Sequence, residues 1–149
     1  MSRWTHIAGT IRIDAMPSRD DSLWMNEISR KLGHIVEFES PDEMWDLPEH
    51  QITPMGSEGG VEYFMTVTAG ADSTSICRGT VTIHADLRDF GGESGSLRIL
   101  EWLNRLTTLK LCYIRQGIVI IHDEGWEGTC VLIYRDDKFY KLDYDPRLL

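Results

Sequence analysis

Two segments in which apolar and polar residues alternate one by one constrain the fold of this chain most strongly. In residues 4–13, one side carries Ile7, Gly9, Ile11 and Ile13, and the other carries Trp4, His6, Ala8, Thr10 and Arg12. In residues 75–87, one side carries Cys77, Gly79, Val81, Ile83, Ala85 and Leu87, and the other carries Arg78, Thr80, Thr82, His84 and Asp86. A period of two predicts strands with one buried face and one polar face.

Two helices are predicted from apolar residues at helical spacing. The first spans residues 20–32 and ends at Gly33, and its apolar stripe consists of Leu23, Trp24, Ile28 and Leu32. The second spans residues 96–110, and its stripe consists of Leu97, Leu100, Leu103, Leu106 and Leu109. Trp102 lies off this stripe, so we expect it to flank the buried side of the second helix.

The remaining β-rich segments predict two hairpins and an edge strand. Residues 61–69 pair with residues 75–87 across a turn-rich connection, and residues 113–122 pair with residues 129–135 across an acidic turn. Residues 138–144 alternate again and predict a last strand at the sheet edge. The pattern predicts strand, helix, hairpin, helix, hairpin and strand in chain order.

This order predicts an α+β fold in a single domain of residues 1–149. The economical arrangement is an antiparallel sheet with two helices on one face. We expect the ferredoxin-like plan, the split βαβ, with a C-terminal β extension. An α+β sandwich with a different strand order would give the same pattern.

Charge restricts the class of partner. The 15 basic and 24 acidic residues give a net charge of −9, and the basic residues are scattered among carboxylates. Proteins that bind nucleic acid backbones usually carry a basic stripe, so duplex nucleic acid is not an expected partner.

Cysteine usage and hydropathy predict a cytoplasmic protein. Cys77, Cys112 and Cys130 form no CxxC pair and lie in apolar stretches, which favours buried thiols in a reducing compartment. The first residues lead directly into a strand pattern, and the longest aliphatic run is Ile118–Ile121. We therefore expect neither a secretory leader nor a membrane span.

The polar sides of the two alternating strands form the strongest candidate site. If these strands are neighbours, His6, Arg12, Thr82, His84 and Asp86 share one uncovered sheet face and are the predicted ligand-binding residues. Arginine donates to phosphate or carboxylate groups, and an aromatic ring such as Tyr63 or Phe64 offers a stacking surface, so a small nucleotide-like ligand is one prediction. The same face is alternatively a homodimer interface.

A second hypothesis makes this face catalytic. His6, His84 and Asp86 can exchange protons near neutral pH or bind a metal if they meet around a pocket. However, neither a GxSxG nor an HExxH motif is present, and the cysteines lack an activating signature. We therefore assign no catalytic residue, no metal ligand and no cofactor.

The glycine-rich segment at residues 91–96 precedes the second helix and has two interpretations. Exposed backbone N–H groups at a helix start attract anions, as in phosphate-binding loops. The segment lacks the lysine of such loops and carries Glu93, so an ordinary flexible helix cap is favoured.

A second candidate surface is acidic. Residues 40–60 are rich in proline and glycine and predict a loop with one helical turn at 42–46. Residues 37–49 carry six carboxylates and no basic residue. An aromatic residue within an acidic rim is typical of a binding hot spot for a basic protein surface. The predicted contact residues are Glu43, Trp45, Asp46 and Glu49.

The opening sequence Trp4-Thr5-His6-Ile7-Ala8-Gly9-Thr10-Ile11-Arg12-Ile13-Asp14 resembles the first strand of small accessory proteins encoded by phages and prophages of Gram-positive bacteria. The resemblance covers about a tenth of the chain. It implies a protein that acts by binding, either by blocking a host defence protein or by sequestering a small signalling nucleotide. We accordingly predict a non-catalytic binding module, with the small enzyme as the alternative.

Overall fold

The computed structural model describes residues 2–15, 22–34, 48, 51–68, 77–125 and 128–142. Within these residues the elements are β1 (Trp4–Ala15), α1 (Ser22–Leu32), β2 (Glu62–Thr68), β3 (Cys77–Arg88), α2 (Glu93–Asn104), β4 (Cys112–Asp123), β5 (Gly128–Arg135) and β6 (Lys138–Lys141). A short 3₁₀ helix, Arg105–Thr108, follows α2. The predicted α+β class is confirmed.

The six strands form one open antiparallel sheet in the order β2-β3-β1-β4-β5-β6. Both predicted hairpins are confirmed, as β2–β3 and β4–β5. The first strand of the chain is hydrogen-bonded on both sides, to β3 and to β4. Its register therefore determines which residues of three strands share a face.

The predicted alternation is confirmed along β1 and β3. Ile7, Ile11 and Ile13 are buried, as are Val81, Ile83, Ala85 and Leu87. The opposite side of the same strands carries exposed residues, including Thr10, Arg12, Thr82, His84 and Asp86. The buried sides of the strands share one hydrophobic core with buried residues of α1 and α2.

In α1, three of the four predicted stripe residues are buried: Trp24, Ile28 and Leu32. The prediction for Leu23 was wrong, because this side chain is 51% exposed. The fourth buried residue of α1 is instead Glu27. Its carboxylate accepts hydrogen bonds from the backbone N–H groups of Lys110 and Leu111 at 2.7 and 2.8 Å. Helix α1 is thereby tied to the start of β4.

The predicted stripe of the second helix is confirmed in part. Leu103 and Leu106 are buried, and Leu100 and Leu109 are partly buried against the core, whereas Leu97 is exposed. The buried side of α2 is centred on Ile99, Trp102 and Leu103, so the prediction that Trp102 only flanks it was wrong. Trp102 is 1% exposed, and its Nε1 donates to the Leu32 carbonyl oxygen at 2.7 Å. Trp102 therefore joins α2 to the end of α1.

Several predictions fall on residues outside the described ranges. These are the extended piece after His34, the helical turn at 42–46, the start of the first helix before Ser22, and the end of the last strand beyond Leu142. In the described part of the chain, neither α1 nor α2 is long and apolar enough to cross a membrane.

Helix α1 approaches β3 closely because β3 carries a glycine on its buried face. A Cβ atom at Gly79 would lie 2.4 Å from Cη2 of Trp24, which is a forbidden contact. The indole therefore occupies the space that any other residue at position 79 would fill. This contact holds α1 against the sheet.

Gly79→Ala is expected to lower the free energy of unfolding by about 1–3 kcal/mol, because Trp24 must move within a packed core. Urea denaturation of both proteins measures the difference. Thr82→Ala, on the exposed side of the same strand, is the matched control and should change stability by less than about 0.5 kcal/mol. Equal stability of the wild-type protein and Gly79→Ala would contradict the close packing of Trp24.

Candidate functional site

The exposed face of the sheet brings the predicted polar residues of β1 and β3 to the same side. Residue pairs across the two strands match His6 with Asp86, Ala8 with His84, Thr10 with Thr82 and Arg12 with Thr80. The expectation that these strands are neighbours is thus confirmed. Each matched set forms a row across the sheet, and successive rows are about 7 Å apart because they are separated by two residues.

At one end of this face, His6 lies between two carboxylates. Its Nδ1 is 2.6 Å from Oδ1 of Asp86, and its Nε2 is 3.1 Å from Oε1 of Glu124, in the turn after β4. The ring of His122 on β4 stacks on His6, with 6.3 Å between ring centroids. We call His6, Asp86, His122 and Glu124 the acidic end of the exposed face.

Both ring nitrogens of His6 can donate to these carboxylates only when the imidazole is protonated. The hydrogen bonds to Asp86 and Glu124 raise the pKa of His6 above its usual 6.5. Protonated His6 therefore links β1, β3 and the turn after β4.

The other predicted ligand-binding residues do not converge on His6. His84 lies one row away and pairs with Glu62 of β2 at 3.8 Å. Thr82 lies in the next row, between Thr10 and Phe64. Arg12 is six residues from His6, which is about 20 Å along an extended strand. The five residues share a face without forming one pocket, and their role in ligand binding stays a prediction.

Arg12 belongs to a separate group at the opposite end of the face. A β-bulge at Arg12 and Ile13 leaves Arg115 of β4 as an extra residue. Its Nε donates to Oδ2 of Asp14 at 2.8 Å, and Nε of Arg12 lies 3.8 Å from Oδ1 of the same carboxylate. The side chain of Asp14 is only 4% exposed, whereas both arginines are about half exposed. We call Arg12, Asp14 and Arg115 the arginine end.

Between the two ends, the exposed face is apolar on its β4–β6 side. Ile118 and Ile120 are each 43% exposed, and Tyr140 is 45% exposed. Strand register matches Ile118 with Ile133 and Thr10, Ile120 with Val131 and Ala8, and Ile133 with Tyr140. We call this surface the apolar patch; its members are Ala8, Ile118, Ile120, Val131, Ile133 and Tyr140.

The apolar patch was not among the predicted site residues, although a signal for it exists. The aliphatic run Ile118–Ile121 lies on a strand, where side chains alternate between the two faces. Val119 and Ile121 are buried, so Ile118 and Ile120 must point the other way. An aliphatic run of this length in a strand therefore predicts apolar residues on both faces of the sheet.

The start of α2, at the glycine-rich segment, is capped by the carboxylate of Asp123. The N–H of Gly92, a residue with φ of 86°, donates to Oδ2 of Asp123 at 2.6 Å. Asp123 is 6% exposed and also accepts from the N–H of Gly125 at 2.8 Å. The segment is a helix cap, as predicted, but α2 begins at Glu93, three residues earlier than expected. Asp123 occupies the position where a bound anion would meet the helix start.

Thiol chemistry has little support among the described cysteines. Cys112 and Cys130 are buried and form no disulfide among the described residues, and their burial was predicted. Burial raises the pKa of Cys112 to about 12, and the nearby Glu27 carboxylate acts in the same direction. A thiol that stays protonated at neutral pH is a poor nucleophile.

The described side chains at the acidic end do not form a metal centre. Among the described residues, no group of three or more His, Cys, Asp or Glu side chains is arranged to hold a metal ion. Two described cavities lie away from His6: one of about 870 Å³ beside Leu23 and His34, and one of about 220 Å³ beside Thr53 and Trp102.

The acidic segment spans residues 37–49. Its four predicted contact residues, Glu43, Trp45, Asp46 and Glu49, lie outside the described residues. They stay a prediction of a second binding surface.

Comparison with protein-family models, with curated proteins and with solved structures finds no match to this chain. The functional interpretation therefore depends on the geometry of the exposed face.

The double pairing of His6 predicts a pH-dependent contribution to stability. Because the folded-state pKa of His6 is raised, this contribution is fully present below pH 6.5 and is lost as pH rises through the folded-state pKa. His6→Gln should therefore cost roughly 0.2–1 kcal/mol near pH 5.5 and less near pH 8.5. Urea denaturation of both proteins at the two pH values measures this difference.

His84→Gln is the matched control, because His84 has one carboxylate partner at a longer distance of 3.8 Å. Its pH-dependent cost should be smaller than that of His6→Gln. A cost of His6→Gln that is equal at both pH values, or larger at high pH, would contradict the paired imidazolium.

Proposed function

We propose that this chain is a non-catalytic binding module and that it binds a protein on the exposed face of its sheet. The observation that carries the proposal is the apolar patch between the acidic end and the arginine end. Contiguous exposed apolar surface marks interaction sites in many proteins. An apolar centre with a polar rim is also the usual anatomy of a protein–protein interface.

The patch has the properties of a docking surface rather than of a ligand cavity. Ile118 and Ile120 are β-branched residues on a strand with hydrogen-bonded neighbours on both sides, so their positions are fixed before binding. A rigid surface loses little conformational entropy when a partner covers it. The two charged ends would orient the partner along the strands.

The alternative, a small enzyme that uses His6, His84 and Asp86, has less support. Asp86 and Glu124 both engage the His6 ring, while His84 pairs with Glu62 in a different row. A general base needs a free nitrogen within reach of its substrate. In the described geometry, both nitrogens of His6 have carboxylate partners.

We also propose the finer fold assignment, a ferredoxin-like sheet with both helices on one face and β5–β6 as its extension. The succession β1-α1-β2-β3-α2-β4 supports it, as does the antiparallel order β2-β3-β1-β4. The contact of Trp24 with the buried face at Gly79 and the hydrogen bond from Trp102 to Leu32 support a common helix layer.

The more specific hypotheses about origin, biological role and location stay predictions from the sequence. These are a phage origin, antagonism of a host defence protein, sequestration of a signalling nucleotide and a cytoplasmic location. Binding of a protein on the exposed face is compatible with the first two. Nucleotide sequestration would instead use Arg12 and Thr82 and would be detected as a nucleotide-dependent rise in melting temperature.

The proposal is tested by comparing the proteins captured by two baits from a lysate of the cells in which this chain is made. One bait is the wild-type chain, and the other carries Ile118→Asp together with Ile120→Asp. Any protein captured only by the wild-type chain is identified, purified and titrated calorimetrically against both. We expect the double variant to weaken binding at least about 100-fold, because it buries carboxylates in an apolar contact.

Leu97→Asp is the matched control, because Leu97 is an exposed leucine on α2 with 51% exposure. It introduces one carboxylate in place of an exposed aliphatic side chain away from the exposed face and should leave the affinity unchanged. A purified partner that binds all three proteins equally would refute the proposed surface. So would the absence of any partner, including a second copy of the chain, whose binding depends on Ile118 and Ile120.

A further inference from the structure

We propose that the protein docked on the exposed face is a second copy of this chain, with the two sheets packed face to face about a twofold axis that crosses the strands. This inference rests on the proposed function, because it names the occupant of the same surface. It depends on one property of the face: the face itself carries both the charged groups and the apolar side chains that a partner would need to bind it.

The two ends of the face are complementary in charge. The acidic end has the carboxylates of Asp86 and Glu124 around a single shared imidazole, His6. The arginine end has two guanidinium groups around one buried carboxylate, Asp14. A twofold axis that crosses the strands reverses the strand direction in the second copy. The acidic end of each copy then faces the arginine end of the other.

The same axis brings apolar rows together. From the acidic end to the arginine end, the exposed face has four rows, which contain His6, Ala8, Thr10 and Arg12 of β1. Reversal of the strand direction pairs the first row with the fourth and the second with the third. The row of Ile120 in one copy therefore faces the row of Ile118 in the other, so apolar side chains meet at the centre.

Neighbouring charges do not cancel this complementarity. At the acidic end, two further cations lie nearby: Arg3, whose side chain approaches Gly125, and Arg88, which is paired with Glu58 and lies 3.8 Å from Asp89. The carboxylates of Glu58 and Asp89 lie at the same end and offset these two cations. Next to the arginine end, Gln116 is exposed and uncharged and lies opposite Arg12. The charge difference between the two ends therefore persists when these groups are included.

The size of the face fits a stable dimer. The strands β3, β1, β4 and β5 are about 4.8 Å apart, and seven residues of each at about 3.4 Å per residue outline roughly 450 Å². The four residues of β6 and the part of β2 that starts opposite His84 bring the face to roughly 600 Å². Standard protein–protein interfaces bury about 600–1,000 Å² on each partner, so the face lies at the lower end of this range. Two sheets can pack in this way at about 10 Å separation, with their strands inclined by about 30°.

The test is sedimentation equilibrium of the full chain from about 1 to 200 µM, which covers the weak end of the affinities of such interfaces and above. We expect the wild-type chain to form a dimer. Ile120→Asp should weaken the dimer at least about 100-fold, and Leu97→Asp should not weaken it. Circular dichroism melting of each variant verifies that it folds.

Two exposed positions test the orientation of the copies. Gln116→Glu lowers the positive charge of the arginine end, and Glu124→Lys lowers the negative charge of the acidic end. Each should weaken the dimer about three- to tenfold at low salt, and the double variant should recover part of the loss. Gln116→Lys, at the same site as the first variant, should tighten the dimer.

The outcomes separate this inference from the function on which it rests. A dimer lost in Ile120→Asp, with the charge effects above, supports both. A monomer at every concentration that binds a different protein through Ile118 and Ile120 overturns the dimer and leaves the proposed function standing. A monomer without any partner that depends on this face overturns both. A dimer that Ile120→Asp leaves intact overturns the face-to-face arrangement.

Discussion

The register of β1 between β3 and β4 is the constraint on which the rest of the structure depends. Because side chains on a strand alternate between two directions, this register assigns residues of three strands to one face or the other together. It directs Ile7 and Ile11 into the core and His6 and Arg12 to the exposed face. A shift of one residue would bury the imidazole and the guanidinium and expose the isoleucines. The core and the candidate binding surface are thus two results of the same pairing.

Much of this arrangement could be predicted because the period of two is a local property of the sequence. The alternation in residues 4–13 and 75–87 predicted which side chains are buried, and the turn-rich connections predicted both hairpins. Parity placed His6 and Asp86 on one face on the condition that their strands are neighbours; the strands do pair, and the two side chains meet at 2.6 Å. The contact of His6 with Glu124 did not follow, because it depends on the turn after a third strand.

The remaining features depend on contacts between distant segments. The β-bulge that directs Arg115 to Asp14 arises from a register shift between β1 and β4, which leaves no periodic signal. The rotation of α2 depends on the space available to Trp102 beside the end of α1. Asp123 became a helix cap because the end of β4 lies beside the start of α2. In each case the deciding neighbour is far away in the sequence.

The central claim is that another protein chain covers the apolar patch in the functional state. Methyl NMR with a soluble paramagnetic agent tests this most directly, with buried Ile99 and exposed Leu97 as internal references. At concentrations where the chain associates, we expect the methyl groups of Ile118 and Ile120 to be protected from the paramagnetic agent nearly as well as those of Ile99. The claim would be contradicted if the agent relaxed the methyl groups of Ile118 and Ile120 as strongly as those of Leu97 at every concentration and with every candidate partner.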